Sequence, residues 1–324
     1  MNKLQIRGTE LRISQIGLGS ALFGSKISRG DAFRLMDLYA DRGGNMADTA
    51  EVYANWLPDT EPSASEKTIG EWMKARGNRN RLVVTTKGAH PRTETMSVGR
   101  MSEAEVREDV EGSLRRLQVT EIDLYWLHRD DTARGAGEIV EMMNGFVREG
   151  KIRCFGCSNW TVERMREAQA YAEARGLRGF CANQMMWSLA AADKSRLADP
   201  SLVPMDEAMY ELHRETGLAA IPYSSQAQGV FTKWEEGTHA EDDERIAAQY
   251  RSADNVARWI RASRLAAELS LPLNRIVLGY LLSQPFPTIP IVGPNTPGQL
   301  LDSLEAAETK LTPEQLAWLD KGEA

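Results

Sequence analysis

Strand-like and helix-like segments alternate from one end of this chain to the other, and that alternation limits the fold more than any other feature. The strand-like runs are RISQIGLG (12–19), NMADTA (45–50), RLVVTT (81–86), EIDLYWLH (121–128), KIRCFGCS (151–158), GFCANQ (179–184), LAAIPYS (218–224) and TIPIVG (288–293). Between them apolar residues fall at helical spacing. Helices are expected over 28–42, 63–76, 102–117, 138–149, 161–175, 206–216 and 274–283, and within a polar insertion at 235–268. Two more start near Thr296 and Thr312. Ser63-Ala64-Ser65-Glu66, Ser102-Glu103-Ala104-Glu105 and Thr312-Pro313-Glu314-Gln315 each read as a capping box at a helix start.

Strands separated by helices imply parallel, right-handed crossovers. About eight such units in 324 residues fit a closed (β/α)8 barrel, read as one domain over 1–324. An open doubly wound sheet is the rival. It needs G-x-G-x-x-G after the first strand, and IGLGSALFG supplies Gly17 and Gly19 but misplaces the third glycine.

The net charge is −7 with acids and bases interspersed, so no basic stripe marks a nucleic-acid partner. No apolar run approaches the roughly 20 residues of a membrane span. The opening MNKLQIRGTELRIS lacks the apolar core of a secretory signal, and there are only three cysteines. A cytoplasmic protein without a disulfide framework is therefore expected. Cys154 and Cys157 form C-x-x-C, but on a strand positions three apart face opposite ways, which favours structural thiols. No metal is expected either: His90 and His128 lack ligand spacing and no H-E-x-x-H occurs.

In such a barrel the chemistry belongs at the C-terminal ends of the strands. Asp48, Lys87 and His128 end the second, third and fourth strand-like runs, and Tyr53 lies five residues past Asp48. An ammonium near a phenol stabilises the phenolate and lowers a pKa that is ordinarily about 10. Asp48 would hold Lys87, and His128 would orient a carbonyl oxygen. The set suits protonation of an oxygen on which negative charge develops.

DTAEVY (48–53), TTKG (85–88), LYWLH (124–128), GCSNW (156–160), ANQ (182–184) and IPYS (221–224) occur in this order, with LRISQIGLG (11–19) before them and IVGPNTPGQL (291–300) after. In these motifs, over nearly its whole length, the chain resembles the aldo-keto reductases, nearer the branch of the potassium-channel β-subunits and related bacterial reductases than aldose reductase. The resemblance implies NAD(P)H-dependent reduction of an aldehyde or ketone on a barrel with an N-terminal β-hairpin and extra helices after the seventh strand and at the C-terminus. It makes Tyr53 the general acid, with Asp48, Lys87 and His128 completing a tetrad.

The resemblance also implies a cofactor site. Ser158, Asn159 and Gln184 match the groups that bind the nicotinamide carboxamide, and Tyr223 the ring that stacks on it. Gly19, Ser20, Ala21 and Asp48 match the nearby barrel edge. Ser224, Gln226 and Gly229 follow the seventh strand, and Gly293, Asn295, Gln299 and Ser303 occupy the last loop. Gly293 and Gln299 stand where many members carry a Lys and an Arg. The cations for a 2′-phosphate are then Lys233 and Arg245, and NADPH is expected over NADH. Leu22, Phe23, Trp56, His128, Arg129 and Trp160 are the expected substrate contacts. Two tryptophans beside a charge suit a sugar-like carbonyl; a broad pocket for small aldehydes is the alternative. Oxidation of a polyol by the same site, or a cofactor-binding regulatory subunit, are the competing functions. A small-molecule partner is expected, and homo-oligomerisation is left open.

Overall fold

The computed structural model describes residues 1–237 and 248–322. β1 (Lys3–Gln5) and β2 (Arg12–Ser14) form an antiparallel hairpin. Eight parallel strands follow: β3 (Gly17–Gly19), β4 (Met46–Asp48), β5 (Val83–Gly88), β6 (Ile122–Leu127), β7 (Ile152–Ser158), β8 (Ala182–Gln184), β9 (Ala219–Ala220) and β10 (Ile291–Val292). Their order is β10-β3-β4-β5-β6-β7-β8-β9. The two edges meet where Ala220 pairs with Thr288 and where Ile291 N donates to Pro222 O at 2.9 Å. The result is the (β/α)8 barrel expected from the alternation.

Six crossovers each carry one main helix: α1 (Arg29–Asp41), α2 (Ala64–Arg76), α3 (Glu103–Leu117), α4 (Ala136–Arg148), α5 (Val162–Arg175) and α6 (Glu207–Thr216). The seventh holds α7 (Val230–Glu235), α8 (Ala253–Leu269) and α9 (Leu273–Leu282). After β10 come α10 (Pro297–Glu305) and α11 (Pro313–Lys321). Among the described residues no single helix is long and apolar enough to cross a membrane.

The run RISQIGLG does not form one strand. It breaks at Gln15, whose N–H donates to Asn2 O, while Gly17 N donates to Pro290 O. Its first half thus belongs to the hairpin and its second to the barrel. Ile6, Leu11 and Ile13 of the hairpin region pack with Met46, Val83, Leu124, Trp126, Cys154 and Ala182, closing the N-terminal end of the barrel.

Strand parity positions the site. Side chains alternate between faces, so the series that faces inward at the bottom continues inward to the top. Met46 leads to Asp48, Val83 to Thr85 and Lys87, Leu124 to Trp126 and His128, Cys154 to Gly156 and Ser158, and Ala182 to Gln184. The opposite parity, including Tyr125, Leu127, Phe155 and Cys157, joins the core under the helices. Cys154 and Cys157 therefore lie on opposite faces, and all three cysteines are free thiols. Gly156 has a packing cause: a Cβ there would sit 2.5 Å from the Trp126 ring and 2.6 Å from Ala182 O.

Two of the three capping boxes form. Ser102 and Glu105 cap α3 reciprocally, as do Thr312 and Gln315 for α11. The third does not. Ser63 has φ of 56° and caps nothing with its side chain. Glu66 is fully buried and accepts instead from Thr86 Oγ1 on β5 and Arg116 Nε on α3. A carboxylate that ties a helix to the barrel is not available to cap that helix. Ser102→Ala is therefore expected to cost about 1 kcal/mol, and Ser63→Ala much less, as read from urea unfolding. Equal losses would contradict the assignment.

Candidate active site

Lys87 is the centre of the site. Its Nζ donates to Asp48 Oδ2 at 2.6 Å, Thr49 O at 2.8 Å and the Tyr53 hydroxyl oxygen at 2.8 Å. An ammonium has three protons, and all are used. Lys87 is 1% exposed. Burial pushes its pKa down, but Asp48 and then Tyr53 outweigh burial and leave it raised. The other oxygen of Asp48, Oδ1, accepts from Thr85 Oγ1 at 2.7 Å and Gln184 Nε2 at 3.0 Å. Thr85 was not among the expected residues; its position two before Lys87, on the same strand face, is the signal that could have found it.

Tyr53 reaches this point because its loop rides on the end of β5, where Glu51 N donates to Lys87 O at 3.0 Å. The ring meets His128 edge-on at 6.0 Å between centroids and Trp56 at 6.1 Å. Burial raises the phenol's pKa more than Lys87 lowers it. The expected lowering by Lys87 is present but is outweighed by burial.

His128 N donates to Gly88 O at 2.9 Å, so its strand is in register with β5. Its Nδ1 is buried and has no hydrogen-bond partner among the described residues. With no acceptor for an Nδ1–H, the proton is assigned to Nε2, which is not among the buried unpaired atoms. Burial first, then Arg129, His90 and Lys87, hold this imidazole well below its usual pKa. The His90 ring stands 4.8 Å away, which the sequence did not foretell.

The expected nicotinamide groups lie together on the rim of β7, β8 and β9. Asn159, at φ of 59°, donates from Nδ2 to Ser158 Oγ at 3.0 Å and His128 O at 3.3 Å. Its Oδ1 accepts from Tyr223 OH at 2.7 Å and Val203 N at 3.0 Å. Gln184 Oε1 takes no partner among the described residues and the Ser158 hydroxyl donates to none, which leaves an acceptor and a donor for an amide. Ser224, Ala227, Gln228 and Gly229 all have positive φ, a tight loop of the kind whose backbone N–H groups cradle anions. Farther out, Gln226 Nε2 donates to Asn274 Oδ1 at 2.7 Å and Ser303 Oγ at 3.4 Å, and Asn295 N donates to Gln299 Oε1. A Cβ at Gly293 would meet nothing, so the last loop leaves open space there. These residues fit a dinucleotide: an open amide acceptor and hydroxyl donor at one end, a tight loop in which the Ala227 and Gly229 N–H groups are used internally, then polar side chains. Gly19 and Ala21 are half-buried at the edge of β3. Lys233 is on α7; Arg245 lies outside the described residues.

Several expected contacts face elsewhere. Ser20 is buried and ties the barrel to α2, its Oγ donating to Asp48 O at 2.8 Å and meeting Ser65 Oγ at 2.7 Å. Phe23 is buried in the outer core. Trp160 is fully buried against Phe180, under the Arg164 guanidinium, and its Nε1 donates to Arg129 O. Arg129 is at the site but occupied: it donates to Asp199 Oδ2 and Ser201 Oγ, each at 2.8 Å, and to His128 O. It anchors the 199–201 stretch and projects positive potential onto the imidazoles. Leu22 is half-buried, and Trp56 remains exposed beside Tyr53.

Buried neutral histidines carry a pH signature. His90 is held at about 4 by burial and Arg129, and His213 at about 4 by burial. Unfolded histidine titrates near 6.5, so between pH 6.5 and 4 the unfolded chain binds more protons and stability falls as pH falls. The loss at pH 5 relative to pH 7 is expected to be on the order of 2 kcal/mol for each of these two. Urea midpoints measured at both pH values check it, and an unchanged midpoint would refute it.

Residues 15–323 match a family model described as the aldo/keto reductase family. An uncharacterized oxidoreductase, YrpG, of Bacillus subtilis is 31% identical over 96% of this chain and 93% of its own length. An aryl-alcohol dehydrogenase (NADP(+)) of Phanerodontia chrysosporium is 29% identical over 97% of this chain and 83% of its own. Norsolorinic acid reductase B of Dothistroma septosporum is 28% identical over 87% and 71%. With the barrel, a buried lysine hydrogen-bonded to a tyrosine and a family match over nearly its whole length, the chain belongs to the aldo/keto reductase family and is an NAD(P)H-dependent oxidoreductase.

Proposed function

We propose that this protein reduces an aromatic aldehyde or ketone to the alcohol, with NADPH as reductant and Tyr53 as the general acid. The observation that carries the reading is Lys87 Nζ at 2.8 Å from the Tyr53 oxygen while it is also held by Asp48. Because Lys87 donates to that oxygen, the phenol's own proton is free to point at a substrate. Burial keeps the proton in place until an oxygen with developing charge arrives, and the ammonium then stabilises the phenolate left behind. His128 donates from Nε2 to the same carbonyl oxygen and fixes its angle. A bound nicotinamide supplies hydride to the carbonyl carbon. Gln184 Oε1 and the Ser158 hydroxyl would hold its carboxamide, Asn159, with both amide ends engaged by the protein, would position Ser158 and Tyr223, and Tyr223 would offer a ring face. The loop from Ser224 through Gln226 to Gly229 takes the phosphates, with Gly293, Asn295, Gln299 and Ser303 beyond it. Lys233 and Arg245 are the cations for a 2′-phosphate, and the NADP(+) in one relative's name agrees with that preference.

The substrate reading shifts from sugar-like to aromatic. The sugar argument used two tryptophans beside a charge; Trp160 is buried and Arg129 is ion-paired, which leaves Trp56 exposed. Trp56, Tyr53, His90 and His128 instead give the mouth aromatic edges and faces. The relative named for aryl alcohols supports the same class.

Tyr53→Phe should bind NADPH normally, by fluorescence quenching, and lose carbonyl reduction by roughly 100-fold or more; near-normal turnover would remove Tyr53 from its role. In the same titration NADPH should bind more tightly than NADH, and the reverse order would overturn the cofactor choice. Benzaldehyde should be reduced with a higher kcat/KM than any aldose; an aldose preference would restore the sugar reading.

A further inference from the structure

His90 belongs to none of the expected roles, yet it stands at the mouth. It follows β5 by two residues, and its ring lies 4.8 Å from that of His128 at 62°. Its Nδ1 is 2.6 Å from Pro91 O. A carbonyl only accepts, so Nδ1 carries the proton and Nε2 presents a lone pair. Nε2 has no partner among the described residues and is not among the buried unpaired atoms. Burial and then Arg129 lower the ring's pKa to about 4, so at neutral pH Nε2 is an acceptor.

The chemistry of the mouth is otherwise one-sided. Tyr53 OH and His128 Nε2 both donate, and a carbonyl oxygen accepts both. Gln184 Oε1 lies at the proposed cofactor end, and both carboxylates are already engaged, Asp48 by Lys87, Thr85 and Gln184 and Asp199 by Arg129 and Ser201. Among the described residues, a donor on the carbon next to the carbonyl therefore meets an acceptor with no partner of its own, His90 Nε2, on the ring beside the one proposed to hold the carbonyl oxygen. Resting on the proposed carbonyl reduction, we propose that His90 is a specificity residue that accepts a hydrogen bond from a hydroxyl adjacent to the reacting carbonyl, making α-hydroxy aryl carbonyls the favoured substrates.

The test compares phenyl hydroxymethyl ketone with its methyl ether, which keeps the oxygen and loses the donor. The kcat/KM ratio, hydroxy over methoxy, is measured in the wild type, His90→Phe, His90→Leu and His90→Gln. The wild type should favour the hydroxy ketone about tenfold, the scale of one neutral hydrogen bond. The ratio should fall towards one in His90→Phe and His90→Leu and partly return in His90→Gln, whose amide oxygen also accepts. A ratio is internal to each variant, so a general loss of activity does not mimic the effect. A wild-type ratio near one, or the same ratio in all four proteins, overturns the role of His90 while leaving carbonyl reduction intact. So does benzaldehyde reduction with neither ketone accepted. Failure to reduce benzaldehyde or either ketone overturns both readings.

Discussion

A buried ammonium is among the most demanding groups a protein interior can hold, and Lys87 sets terms the rest of the barrel meets. Taking it out of water costs several kcal/mol unless each proton finds an oxygen. Those oxygens come from the end of β4, the residue after it and the loop beyond. Asp48 is itself satisfied by Thr85 on β5 and by Gln184 on β8, across the barrel. One charge thus fixes the relative height of three strands and the path of the loop that delivers Tyr53. The contact between Lys87 and Tyr53 is part of the solution to a solvation problem.

Much of this was legible in the sequence because strand parity is strict. Once Met46, Val83 and Leu124 face inward, Asp48, Lys87 and His128 do too. The spacing that makes the core also aims the chemistry, and the ordered motifs only gave it a name. The capping boxes at Ser102 and Thr312 were legible because they are local, with both partners inside four residues.

What was not legible depends on partners far away in the chain. Ser63 and Glu66 satisfy the same local pattern, but Arg116, 50 residues on, claims the glutamate. Trp160 looked like a pocket wall by its place after Asn159, yet the turn at Asn159 sends it behind the strand onto Phe180. Arg129 was expected to contact substrate, and its ion pair with Asp199, 70 residues later, has no local signal. His90 was passed over because a lone histidine has no pattern; it gains meaning only from the ring beside it.

The interlock of Trp126 and Gly156 has an evolutionary side. A smaller residue at 126 would open a void but would not free position 156, because the carbonyl of Ala182 also stands 2.6 Å from any Cβ there. Descendants of this chain can vary the ring, at a cost in packing, but not the glycine. Drift in this layer is lopsided: one partner is negotiable, and the other is held by a neighbouring strand's backbone, which no substitution at 126 removes.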